Sequence, residues 1–408
     1  MFPVSPVSRA VSRRLALAAA IALTLPFAAT AQKKYDTGAS DKEILIGNTV
    51  PYSGPASAYG TVGKAMAAVF DKVNAEGGVN GRRIKFISLD DGYNPAKTVE
   101  QVRKLVEEEE VLLLLSPLGT AQNTAVHKYM NQKKVPHLFL NTGANKWGDP
   151  KNFPWTMGFI PSYYTEGKAF AKHILATRPN AKVGVLYQND DFGKDYLKGV
   201  LEGLGDKAKT MVVSQQSYEV SDTTVDSQVL SLKGSGADTF VNITTPKFAA
   251  QAIRRAAESG WKPVQYLVSV STSVTSVLKP AGFENGQGVI SSAYLRDPSD
   301  PAHHGSKEYQ DYAATLKKYY PSGDVADSLN ANGYSIAQAM VEVLKKAGDN
   351  LTRDNIMKVA ANLNLTLPML APGITLRTTP DDFYPVSQLQ LTKFAGQRFE
   401  PFGPVIDR

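Results

Sequence analysis

The chain contains no cysteine, which excludes a disulfide framework and any thiolate chemistry, whether catalytic or metal-binding. Histidine is scarce: the five residues, at 127, 137, 173, 303 and 304, show no metal-ligand spacing, and His303-His304 sits in a polar, proline-flanked stretch that reads as a solvated pair. Beyond the N-terminal region no apolar run reaches the ~18 residues a membrane span needs. Long runs of like charge are also missing. The short "EEEE" at 107–110 is the exception, and the lysines are scattered rather than gathered into a stripe, so nucleic acid is not an expected partner. Neither a G-x-S-x-G elbow nor a phosphate-binding loop occurs. Gly203-Leu204-Gly205-Asp206-Lys207-Ala208 has dinucleotide-binding spacing, but it follows a helix and precedes a strand, so its glycines read as a helix cap. Asp90-Asp91-Gly92 reads as a strand end turning into a loop. No catalytic set, metal site or cofactor site emerges, and the chain is not expected to be an enzyme.

What is present is a chain of 408 residues, 43% hydrophobic and 20% charged, enough to bury a large core in about two domains. A core of that size needs no disulfide even in an oxidising compartment. Residues 1–31 read as a secretion signal: Arg9, Arg13 and Arg14, then "LALAAAIALTLPFAA", then the small-x-small pattern Ala29-Thr30-Ala31. Cleavage after Ala31 would leave Gln32 first and lower the formal net charge from +7 to +4 by removing three arginines. "SRRLAL" resembles a twin-arginine signal only weakly, which favours the general export route.

From Glu43 short apolar runs alternate with longer amphipathic ones. "ILIGNTV", "RRIKFISLDDG", "VLLLLS" and "VPHLFLN" read as strands; "TVGKAMAAVFDKVNAEG", "PAKTVEQVRKLVEEEE" and "AQNTAVHKYMNQKK" read as helices. The rhythm restarts after "FPWTMGFIPSYY" and continues to "VQYLVSV", which predicts a second α/β lobe. The last segments, from about Gly288 to the strand-like "VSQLQLTKF", are expected to complete both lobes, so the chain should cross between them more than twice. In open parallel sheets ligands sit beyond the carboxyl ends of the strands. Here those loops are "PYSGPASAYG", "SPLGTAQNT", "LNTGANKW", "QNDDFG", "ITTPKF" and "SVSTSVTS", rich in hydroxyls, amides and glycine and poor in charge. A helix start with exposed backbone N–H groups holds a carboxylate without Arg or Lys, and "SPLGTAQNT" has that chemistry.

The segments "IGNTVPYSGPASAYG", "NAEGGVNGRRIKFISLDDGYNPAKTVEQVRKLV", "SPLGT", "NDDFGKDY" and "AESGW" together resemble the periplasmic leucine/branched-chain amino-acid binding family, the solute receptors of ABC importers. They span roughly 43 to 295 in the family's order. The resemblance implies an α/β fold of two doubly wound parallel-sheet lobes, joined by a three-crossover hinge and closing around a ligand. The expected lobes are 41–160 plus about 289–385, and 161–288 plus about 386–408.

Carried onto this chain, the family's site implies Tyr59 against the ligand's apolar part (the alternative being a surface tyrosine). It implies Leu118, Gly119 and Thr120 as one carboxylate-binding turn and Asn141, Thr142 and Gly143 as the other, where the family more often has Ser-Ala-Thr. Phe192 stands where a tyrosine usually closes over the ligand, and Thr245 and Lys247 lie near another usual contact. Tyr163 lies where the chain enters the second lobe, with the cleft, the core and the surface as its alternatives. The main departure is "YLVSVSTSV": amino-acid binders carry a glutamate there to pair with the ligand's ammonium, whereas the matching positions here are Ser269, Val270 and Ser271. Burying an ammonium without a counter-charge costs several kcal/mol, and even ~3 kcal/mol weakens binding about 100-fold. Unless Asp190 or Asp191 substitutes, the expected ligand keeps the carboxylate and lacks the ammonium, as an aromatic or aliphatic organic acid does. The resulting expectation is a periplasmic, monomeric receptor that hands a small carboxylate to an inner-membrane ABC permease. A branched-chain or other hydrophobic amino acid as ligand, and a free sensor serving a membrane receptor, are the alternatives.

Overall fold

The computed structural model describes residues 1–3 and 33–408, so most of the secretion signal expected at 1–31, including its cleavage point, lies outside the described residues. The first lobe is laid down by alternating units: β1 (Glu43–Val50), α1 (Gly60–Ala75), β2 (Arg83–Asp90), α2 (Pro95–Arg103), β3 (Leu113–Leu115), α3 (Thr120–Lys133), β4 (His137–Leu140) and β5 (Thr156–Gly158). The strands are parallel in the order β2-β1-β3-β4-β5. Alternation of side chains along each strand supplies two cores. Ile44, Ile46, Leu113 and Leu115 pack with Val62, Ala65 and Met66 of α1, while Leu45 and Leu114 pack on the opposite face with Val102, Val126 and Met130 of α2 and α3. Because both faces are covered, the apolar run Val111–Leu115 is buried throughout.

The second lobe begins with α4 (Tyr163–Thr177), followed by β6 (Val183–Gln188), α5 (Asp191–Leu204), β7 (Val212–Tyr218), α6 (Asp226–Gly234), β8 (Thr239–Ile243), α7 (Pro246–Glu258), β9 (Val264–Leu267) and β10 (Ile290–Ala293). The chain then returns to the first lobe as α8 (Lys307–Tyr319), α9 (Ser328–Ala347) and α10 (Arg353–Ala360). There α9 lies so close to α1 that a Cβ on Gly333 would come 2.4 Å from the Val62 carbonyl oxygen. A third crossing brings β11 (Leu389–Ala395) and β12 (Arg398–Ile406) to the second sheet, whose order is β12-β11-β10-β9-β8-β6-β7. The last two strands are antiparallel, so this sheet is mixed rather than wholly parallel. Pro401 and Pro404 hide β12 from a sequence reading; an edge strand tolerates them because its outer N–H groups need no ladder partner.

The structure corrects the expected lobe boundary at 289. Residues Ile290–Ala293 are hydrogen-bonded between Tyr266 of β9 and the 390–393 stretch of β11, inside the second sheet. Within the second lobe α4 and α5 approach through glycines: a Cβ on Gly167 would meet the Tyr196 carbonyl oxygen at 2.6 Å, and one on Gly199 the Tyr164 carbonyl oxygen at 2.3 Å. That close approach sets Glu166 of α4 against Tyr196 of α5.

Candidate ligand-binding site

The carboxyl ends of the two sheets face each other across a cleft enclosing about 910 Å³ of empty space, mouth included. Its walls carry a set of aromatic rings: Tyr59, Tyr93, Tyr163, Phe192 and Tyr294 all line it and are all buried. Tyr163 meets Phe192 edge-on at 5.3 Å and stacks on Tyr196 at 4.4 Å, which fixes both rings. Tyr163 therefore faces the cleft while its backbone N–H donates to the Gly143 carbonyl.

The first-lobe wall ends in the N-terminus of α3. Its N-cap, Gly119, has φ +104°, where a side chain is strained, and a Cβ there would lie 2.2 Å from Gln122 Oε1. No side chain caps this helix, so its first N–H groups are left for a ligand. Beside it Asn141 donates to Asn332 Oδ1 at 2.8 Å, and Asn332 donates to the Tyr294 hydroxyl at 2.5 Å. This chain of amides holds the floor of the cleft.

Eight of the thirteen expected site residues line the cleft: Tyr59, Leu118, Gly119, Asn141, Tyr163, Phe192, Thr245 and Ser269. The other five lie outside that lining. Thr120 and Thr142 turn their hydroxyls to each other, 2.6 Å apart, behind the lining. Gly143 is a packing position, since a Cβ there would strike the Pro161 carbonyl oxygen at 2.2 Å. Lys247 is exposed; its ammonium lies over the Phe248 ring and donates to the Asp222 carbonyl, outside the lining. Ser271 is buried and donates to the Thr244 carbonyl at 2.5 Å.

A buried acid lies behind the 269–271 turn. Glu166, buried on α4, accepts from Ser269 N, Ser269 Oγ and Tyr196 OH, each at 2.7 Å. Burial pushes its pKa up to about 6, with the hydrogen bonds from Ser269, Tyr196 and Ser292 opposing that rise. Glu166 does not itself line the cleft; Ser269 and Ser292 stand between. Neither proposed substitute faces the ligand space. Asp190 caps α5, accepting from Phe192 N and Gly193 N, and Asp191 is paired with Lys146 at 2.6 Å. The charges in the lining are Arg296 and Asp297. Asp297 is held by Ser299 N, Ser299 Oγ and Phe399 N, and Arg296 Nε donates to the Pro368 carbonyl.

The two lobes also touch directly. Tyr59 OH donates to the Val270 carbonyl at 3.2 Å in the middle of the cleft. On one flank Asn145 N donates to Asp195 at 2.8 Å beside the Lys146–Asp191 pair; on the other Thr275 donates to Asp324 at 2.6 Å. The lobes are thus closed on each other.

Sequence reasoning missed several lining residues. Tyr93 follows the Asp90-Asp91-Gly92 turn, which is structural as expected: Asp90 accepts from Tyr52 N and Ser53 Oγ, and Asp91 accepts from Tyr93 N. Its place at the end of β2 was the available signal. The stretch 292–297 follows β10 and was readable by the same rule. Asn332, Thr392 and Phe399 come from helix and hairpin positions that carry no such mark.

A ligand-sized cleft at the strand ends of two hinged α/β lobes defines a two-lobed solute binder. The chain belongs to the family described as "Periplasmic binding protein", whose profile matches residues 43–396. It is 24% identical to Leu/Ile/Val-binding protein homolog 7 of Brucella abortus (strain 2308), covering 74% of this chain and 77% of that one. Among solved structures it is similar to a branched-chain amino acid ABC transporter protein from Thermus thermophilus with bound valine, at TM-score 0.81 and 17% identity, covering 91% and 98% of the two chains. It is also similar to a solute-binding protein of R. palustris in complex with benzoate, at TM-score 0.75 and 19% identity, covering 90% and 98%. Among the described residues no helix is long and apolar enough to cross a membrane, and no cluster of three or more His, Asp or Glu is placed to hold a metal.

Proposed function

We propose that this protein is the exported, non-catalytic substrate-binding protein of an ABC importer, that it binds a small aromatic or aliphatic carboxylate in the cleft, and that it delivers this solute to a permease. In this reading the segment 1–31 is removed after Ala31 and the protein acts as a monomer. The observation that carries the ligand class is the pairing of an uncapped helix start at Gly119 with a cage of Tyr59, Tyr93, Tyr163 and Phe192. The helix start suits a carboxylate and the rings suit an apolar body. Asp190 and Asp191, the acids that stood to receive an ammonium, are engaged elsewhere. The benzoate held by the similar R. palustris protein is a solute of this kind. Lobe closure is the signal a permease reads, and binding selects the closed arrangement.

A second reading, a branched-chain or other hydrophobic amino acid, is favoured by one observation: Glu166 lies a single hydroxyl away from the cleft. The similar Thermus protein holds valine. Calorimetry with benzoate, 4-methyl-2-oxopentanoate and leucine separates the two. The proposal expects an acid without an ammonium to bind at least about 100-fold more tightly than leucine, the factor that ~3 kcal/mol of uncompensated charge burial produces. Tight leucine binding with none for the acids would overturn it.

A further inference from the structure

We infer that the 269–272 turn of the second-lobe wall selects solutes carrying a hydrogen-bond donor opposite their carboxylate, because the hydroxyls of this turn have already committed their hydrogens to the protein. Ser269 Oγ donates to Glu166, Thr272 Oγ1 donates to the Ser269 carbonyl at 2.8 Å, and the nearby Ser271 Oγ donates to the Thr244 carbonyl. A hydroxyl has one hydrogen and two lone pairs, so Ser269 and Thr272, both in the lining, turn only lone pairs to the cleft. The Val270 carbonyl in the same turn already accepts from Tyr59. This turn therefore presents acceptors, in contrast to the N–H groups of α3 across the gap.

The polarity is set from behind. An ionised carboxylate accepts and never donates, so Glu166, fixed by Ser269 N and Tyr196 OH, dictates which way the serine hydrogens point. Glu166 is a positioning residue acting through Ser269. A solute end with no donor leaves these oxygens desolvated and unpaired, and sites that hydrogen-bond a hydroxyl reject analogues lacking it more strongly than apolar pockets reject a missing methylene. A phenolic or alcoholic hydroxyl satisfies the wall, and so does an ammonium; both bring the hydrogen it lacks.

This inference rests on the organic-acid reading of the site, and the experiment distinguishes failure of the one from failure of the other. Calorimetry at pH 7.5 compares benzoate, its three hydroxy isomers and their methoxy counterparts, on the wild type and on Glu166→Gln and Ser269→Ala. The best hydroxy isomer should bind ~10- to 100-fold more tightly than its methoxy counterpart. In Glu166→Gln, whose amide donates to Ser269 and frees its hydrogen to turn to the cleft, that ratio should fall below about 3-fold. Ser269→Ala should lower it as well, and it serves should the first variant not fold. A loss of packing alone would weaken both ligands and leave the ratio unchanged. Equal binding of the hydroxy and methoxy forms to the wild type overturns the inference while leaving the organic-acid reading standing. Should no benzoate bind, tight leucine with 4-methyl-2-oxopentanoate at least about 10-fold weaker sustains the donor requirement and overturns the organic-acid reading. Absence of binding by every compound overturns both.

Discussion

The two walls of the cleft solve the problem of holding a polar solute in opposite ways. On the first lobe the ligand would meet backbone: the start of α3, opened by Gly119 at φ +104° and left uncapped. On the second it meets side chains whose hydrogens are fixed by a buried carboxylate one layer back. A helix start is a local feature, written into neighbouring residues of one turn, and it costs no buried charge. Glu166 is the reverse: three donors from two separate segments must converge on it, and burial still holds its pKa up at about 6. Preorganised backbone gives one wall its sign cheaply; the other needs a tertiary network to fix the direction of its hydroxyls.

The largest expected effect tests the backbone wall. Gly119→Val puts a branched side chain at a left-handed position against Gln122 and Tyr93; it should cost about 1–3 kcal/mol in urea unfolding and abolish binding by calorimetry. Intact affinity would show that the ligand does not use the start of α3. Next comes the ring cage. Tyr163→Ala removes the ring stacked on Tyr196 and edge-on to Phe192, with an expected loss of about 3 kcal/mol of stability, measured as a shift of the unfolding midpoint, and weaker binding of every aromatic ligand.

The third prediction tests the carboxylate wall by pH. The Glu166 pKa is raised on folding from the ordinary 4.5 to about 6, so the folded state holds the proton more tightly than the unfolded state. Its contribution to stability is fully present below about pH 4.5 and is lost as pH rises through about 6, a change of about 2 kcal/mol. Urea titrations from pH 4 to 7.5 should show the wild type losing that amount relative to Glu166→Gln across this window. A flat difference would mean the carboxylate is not buried as described. The smallest effects come at the margins. Lys146→Ala breaks a half-exposed pair between the lobes, and about 0.5 kcal/mol of closure should be lost, roughly a twofold rise in Kd. Lys247→Ala should leave Kd within about twofold and stability within about 0.5 kcal/mol, because its ammonium lies outside the cleft lining.

Sequence legibility divides along the same line. The parallel sheets, the crossovers and the helix start at Gly119 were readable because each is a local pattern: alternation within strands, glycine and hydroxyl at a strand–helix turn. The aromatic positions Tyr59, Tyr163 and Phe192 came from motif order, and all three line the cleft. The direction of the Thr120 and Thr142 hydroxyls was not legible, because a position in sequence says nothing of a rotamer; theirs bond to each other. Glu166 escaped because it lies 103 residues from Ser269 and belongs to a helix that otherwise reads as packing. Only the close approach of α4 to α5 at Gly167 and Gly199 brings it under the cleft.

The contact between Tyr59 and the Val270 carbonyl joins protein to protein, so it favours the shut form whatever the cargo. Such a fastening lowers the work a solute must do to trap the molecule, but it raises by the same factor the share of unladen molecules that look laden. An importer that reads shape alone would turn over some cycles on nothing. The strength of that bond, with the flank contacts, sets a compromise between scavenging dilute solute and wasting turnover, and Tyr59→Phe should shift it toward fidelity.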